Sequence, residues 1–236
     1  MSGDDGMYAH YSRVQYDLTM ARRVVVRWNR GEVSGRWKRP SIASGPAVLL
    51  AHGAGTDQDH PGVVGLRDRL FALGHPVLTF NYPFRERGKG GPDRQEVLLA
   101  CHGAAAAWLR ERFPSIVMAG RSMGGRMASL LAAEGEPCLG LVLYAYPLHP
   151  PGRPEKLRTD HLGDIDVPML FFSGDRDALA RPDLFQKWIG SLPNATTEII
   201  AGADHSFRVT KRSGRTSQNV LDWMAVRTSQ WMRTVG

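Results

Sequence analysis

Ser122 stands in Gly120-Arg121-Ser122-Met123-Gly124, with Gly125 directly after. A serine hydroxyl is a poor nucleophile until a neighbouring base takes its proton. The G-x-S-x-G spacing places such a hydroxyl. Small residues on both sides let a strand turn sharply into a helix, and the turn lifts the side chain out of the sheet. The helix N-terminus then favours the negative charge that develops there. The competing reading is a glycine-rich helix start with a merely polar serine. The flanks decide between them: Ser115–Ala119 reads as an apolar strand and Gly124–Ala133 as a helix.

The base should follow a late strand and the acid an earlier one. Of eight histidines, only His205 falls in the last quarter of the chain, in Gly202-Ala203-Asp204-His205-Ser206-Phe207. It directly follows a short β-like run at Thr197–Ile200. The acid should follow the apolar run Val167–Ser173, which continues Gly174-Asp175-Arg176-Asp177. Asp177 is favoured to orient the imidazole, with Asp175 the alternative whose ordinary role is turn hydrogen bonding.

Two backbone N–H groups must face the developing oxyanion. Met123, directly after the nucleophile, supplies one. The other comes from His52-Gly53-Ala54-Gly55, which closes the apolar run Pro46–Ala51; Ala54 is favoured, with Gly55 as fallback. His52 is read as packing beneath this loop. No H-E-x-x-H, paired C-x-x-C or P-loop pattern occurs, so neither a metal nor a cofactor is implied. Asp57, Asp59 and His60 are read as a hydrogen-bonded loop rather than a metal site.

These residues need a scaffold. Arg22–Trp28 and Glu32–Trp37 suit a hairpin or two edge strands. Pro46–Ala51, Val77–Phe80, Ser115–Ala119, Leu139–Ala145 and Val167–Ser173 are apolar runs suited to strands buried on both faces. Between them lie helical patterns at Val63–Leu73, residues 93–112, Gly124–Ala133 and Pro182–Ile189, with another at Ser217–Met232. Residues 83–92 read as loop. The alternation predicts an α/β fold, a three-layer α/β/α sandwich on a mostly parallel twisted sheet, as a single domain over residues 1–236. Residues 147–166 are too few for a cap domain, so the site should be open, with His149 and His161 as rim candidates.

The 236-residue chain carries a net charge of +7 and two cysteines, Cys101 and Cys138. The cysteines are read as buried free thiols, and residues 1–20 lack the apolar core of a signal peptide. No apolar run is long enough to span a membrane. Together these point to the cytoplasm. The basic residues are dispersed, which argues against a nucleic-acid partner. Their one local cluster is Arg208, Lys211, Arg212 and Arg215.

The segments HGAG at 52–55, GRSMGG at 120–125, YPLHPPG at 146–152, GDRD at 174–177 and GADHSF at 202–207 resemble the α/β-hydrolase superfamily, in its dienelactone-hydrolase-like branch. The pairing of GRSMGG with YPLHPPG resembles bacterial predicted hydrolases. That group is related to the hydrolase-like domain of a eukaryotic chromatin-complex subunit and to a testis-expressed protein. The likeness covers roughly residues 20–235. It implies an α/β-hydrolase fold without a large cap and a triad of Ser122, Asp177 and His205. Dienelactone hydrolases proper use a cysteine nucleophile; Ser122 here argues for a small-molecule acyl substrate of another kind, an ester, thioester or lactone. The eukaryotic relatives raise an alternative, a non-catalytic protein-interaction module.

Overall fold

The computed structural model describes residues 20–88 and 90–236. The signal-peptide reading falls on residues 1–19, outside the described residues. Eight strands form one sheet: β1 (Arg22–Trp28), β2 (Gly31–Lys38), β3 (Ala47–Ala51), β4 (Val77–Phe80), β5 (Ile116–Arg121), β6 (Gly140–Tyr144), β7 (Met169–Gly174) and β8 (Ala195–Ile200). Their spatial order is β1-β2-β4-β3-β5-β6-β7-β8. The pairs β1/β2 and β2/β4 are antiparallel, and every pair from β4/β3 to β7/β8 is parallel.

The apolar runs are strands because helices cover both faces. β3, β4, β6 and β7 are buried at every position. Their side chains alternate between two cores, as a pleated strand requires. Leu49, Met118, Leu141 and Phe171 face one core, shared with α3 (Gln95–Arg110), α4 (Met123–Ala133) and α5 (Pro182–Trp188). Val48, Leu50, Val117, Val142 and Phe172 face the other, closed by α1 (Pro61–Ala72) and α6 (Ser217–Val235). Arg69 of α1 meets Asp222 of α6 at 2.6 Å. The start of α6 is fixed by a capping box: Thr216 Oγ1 accepts from Asn219 N, and Asn219 Oδ1 accepts from Thr216 N.

Several expectations shift. Pro83–Glu86 forms a short helix, α2, where a loop was expected. Proline at the first helical position needs no hydrogen-bond acceptor and is preset for the turn. β1 and β2 do form a hairpin, but β2 is interior, paired on its other side with β4. Cys101 is buried and Cys138 only half-buried, both as free thiols. Burial pushes the Cys101 thiol up to about 12 and the Cys138 thiol up to about 11.

Tyr144, the last residue of β6, is buried, and its hydroxyl shares a 2.7 Å hydrogen bond with Thr228 Oγ1 of α6. Thr228→Val keeps the shape and strands the phenol. Urea unfolding should show a lower midpoint at unchanged slope, a loss of about 1–3 kcal/mol. An unchanged midpoint would mean that the phenol finds another partner.

Candidate active site

Ser122 is the single residue between β5 and α4, with φ 51° and ψ −115°. A non-glycine residue with positive φ costs on the order of 1–3 kcal/mol and persists only where its surroundings enforce it. Here they do. Ser122 N donates to Tyr144 O at 2.8 Å, and Arg126 N donates to Ser122 O at 3.0 Å. The glycines allow strand and helix to meet backbone to backbone. A Cβ on Gly120 would lie 2.3 Å from Gly124 C and Gly125 N, and one on Gly124 would lie 2.6 Å from Ala51 O.

The loops after β7 and β8 converge on this turn. His205 Nε2 lies 2.9 Å from Ser122 Oγ. His205 Nδ1 lies 2.8 and 2.9 Å from the two carboxylate oxygens of Asp177. A carboxylate only accepts, so Nδ1 carries the ring proton and Nε2 is left to accept from the serine hydroxyl. Asp177 is buried, and its Oδ1 also accepts from Leu179 N at 2.7 Å. Asp175 is exposed and serves the turn, accepting from Gly202 N at 2.7 Å. Asp204 Oδ1 accepts from Ser206 N and Arg208 N, and buried Phe207 takes φ 57°, so the loop carrying His205 is tightly wound. Arg121 Nη2 adds bonds to His205 O and Ser206 Oγ at 3.3 and 3.1 Å.

Met123 opens α4, and the amide of a first helical residue has no intrahelical acceptor. Ala54 and Met123 line one cavity with Ser122; Gly55 does not. Beneath that loop lies His52, fully buried as read from the sequence. Its Nε2 accepts from Tyr82 N at 3.1 Å, so its Nδ1 donates to Gly53 O at 2.7 Å. Burial holds the His52 imidazole down to about 4, so it stays neutral. Tyr82 in turn shares a 2.8 Å hydrogen bond with His102 Nδ1. His102 is fully buried, and burial lowers its pKa to about 3. It lies on the buried face of α3, with Leu98, Cys101, Ala105 and Leu109.

The cavity over Ser122 measures about 380 Å³, and Leu98, Met127, Pro147, Pro151 and Leu179 give it apolar walls. The expected rim histidines do not line it. His149 is buried with Nδ1 3.0 Å from Pro150 O, and His161 Nε2 lies 2.8 Å from Ser129 Oγ. Both turn inward because their segment is held to its neighbours: His149 N donates to Leu179 O at 3.2 Å, and residues 160–164 pack against α4. Arg126 and Arg158, which do line the cavity, were missed. Their signal was the spacing of Arg126, one helical turn after Ser122. Asp57 Oδ1 accepts from Asp59 N, Asp59 pairs with Arg36, and His60 caps α1. Arg208, Lys211 and Arg212 are exposed. Among the described residues no helix is long and apolar enough to cross a membrane.

A mostly parallel sheet with helices on both faces, and a serine at the elbow between a central strand and a helix, defines the α/β-hydrolase fold. The chain belongs to the alpha/beta hydrolase domain family, which matches residues 44–233. It is similar to an alpha-beta serine hydrolase homologue from Coxiella burnetii, at TM-score 0.72 and 18% identity over 90% of this chain and 99% of that one. It is similar to a dienelactone hydrolase from Anabaena variabilis, at TM-score 0.71 and 20% identity over 91% and 97%. A thermophilic esterase from Thermogutta terrifontis matches at TM-score 0.68 and 19% identity over 91% and 99%. At these identities the likeness to the solved structures is one of fold.

Two outcomes follow from the site's framework. Gly124→Ala forces a methyl group into the β3 backbone and should cost about 3 kcal/mol or more, read as a large drop in the thermal midpoint. The buried histidines set a pH dependence. His52 and His102 have folded pKa values below their unfolded value of 6.5. The unfolded chain therefore takes up protons first as pH falls below about 6.5. Stability is full above that pH and is lost as it falls towards 4, by up to about 1.4 kcal/mol per pH unit for each ring. Urea midpoints between pH 8 and pH 4.5 measure this, and a flat profile would contradict it.

Proposed function

We propose that this protein is a serine hydrolase that cleaves small or medium esters, thioesters or lactones. The reading rests on one observation: Ser122 Oγ lies 2.9 Å from His205 Nε2, and His205 Nδ1 lies 2.8 and 2.9 Å from the two Asp177 carboxylate oxygens. In this reading Ser122 Oγ attacks the substrate carbonyl carbon while His205 Nε2 takes its proton. Asp177 holds the ring and stabilises the imidazolium. The Met123 and Ala54 N–H groups receive the oxyanion. Collapse breaks the bond to the leaving group, which departs with the proton from His205 and leaves an acyl ester on Ser122. Water, deprotonated by His205, attacks that ester and regenerates the serine.

The uncapped cavity supports a small-molecule acyl substrate. The free thiols support a reducing, cytoplasmic setting. Residues 1–236 are read as one domain built around this site, with no cofactor invoked. The alternative, a non-catalytic interaction module, gives no reason for an activated serine to face a cavity.

Labelling with a fluorophosphonate, read by intact mass and peptide mapping, should give one adduct on Ser122. Ser122→Ala should lose the adduct and reduce ester turnover by about a thousandfold or more at unchanged thermal midpoint. Absence of an adduct on the folded protein would transfer support to the interaction module.

A further inference from the structure

The Ser122 cavity contains an arrangement that acyl transfer by itself does not use. Arg126 and Arg158 both line it, among otherwise mostly apolar walls. Arg126 Nε is buried and has no hydrogen-bond partner among the described residues. No carboxylate among the described residues forms an ion pair with either guanidinium, although the surface holds many such pairs. The two cations also feel each other. Burial first, and then the Arg126 charge, holds the Arg158 guanidinium below its ordinary value. His161 next to them adds no charge: burial and Arg126 bring it down to about 4. Asp93 also lines the cavity: its Oδ1 pairs with Arg87 Nη2 at 2.5 Å, and its buried Oδ2 has no hydrogen-bond partner among the described residues and forms no ion pair with Arg126 or Arg158.

Two half-buried like charges without a counter-ion are unfavourable unless something negative comes between them. Arginine suits such a role, because its fork of donors matches a planar carboxylate. Arg126 is also placed to read the substrate. It sits one turn of α4 beyond Ser122, roughly 6 Å along the helix, and lines the same cavity. We propose that Arg126 and Arg158 form an anion site, and that the substrate is an ester or thioester carrying a carboxylate a few bonds from the scissile carbonyl. This rests on Ser122 being the nucleophile, as proposed above. The carboxylate belongs either to the acyl chain or to the leaving group, and the two are separable by substrate choice.

Three esters of matched size provide the test: phenyl valerate, monophenyl glutarate with its carboxylate on the acyl side, and 4-carboxyphenyl valerate with its carboxylate on the leaving group. One acidic ester should exceed phenyl valerate in kcat/KM by at least about tenfold, and which one it is assigns the side. That preference should shrink as potassium chloride is added to the unaltered protein. It should fall towards one in Arg126→Gln and in Arg158→Gln, and be partly kept in Arg126→Lys. A ratio at or below one for both acidic esters, with phenyl valerate still hydrolysed, overturns the anion site and leaves the serine hydrolase standing. A preference that survives salt and both glutamine variants overturns it as well. No turnover of any ester together with no fluorophosphonate adduct overturns the hydrolase reading itself, and the anion site with it.

Discussion

Everything in this site depends on one contact, the meeting of three glycine backbones where β5 turns into α4. Gly120 lies against Gly124 and Gly125, and Gly124 lies against the end of β3. Side chains normally keep a helix and a strand well apart. Here none intervenes, so the helix N-terminus comes down onto the sheet and the intervening residue takes a positive φ. The strain at Ser122 is the geometric cost of that approach, and the sheet bonds around it, above all Ser122 N to Tyr144 O, offset it. A free N-terminal amide at Met123 and a serine side chain aimed out of the sheet follow from the same contact.

Around that point the charge is arranged by exclusion. His52 and His102 are buried and neutral, and they prop the loop beside Ser122 through Tyr82 without bringing a charge to it. His205 alone combines partial exposure with a buried carboxylate behind it. Three imidazoles of one chemistry thus do different work. What separates them is desolvation and whether an acid is in reach.

Much of this was legible in the sequence, for a physical reason. Strands buried on both faces must be continuously apolar, so Ala47–Ala51, Ile116–Ala119 and Met169–Phe172 declare themselves. Glycine at 120 and 124 is demanded by backbone contact, and a loop that follows a late strand must end at the same edge of the sheet as the serine. What the sequence hid was governed by side-chain direction in irregular segments. The inward turn of His149 and His161 depends on how the loop of residues 147–166 folds against α4, and no periodicity encodes that. His102 was hidden differently: its Nδ1 finds its partner in a tyrosine hydroxyl twenty positions away in the chain.

The topology also sets an order in time. Ser122 belongs to the middle of the sheet, whereas Asp177 and His205 hang from β7 and β8, the last two strands in both sequence and space. Synthesis from the N-terminus makes the residues of the elbow well before those of the loop that carries His205. The loop that carries His205 follows β8, and β8 takes its place at the sheet edge by pairing with β7. The order of the strands thereby separates, along the chain, the turn that holds Ser122 from the two loops that face it.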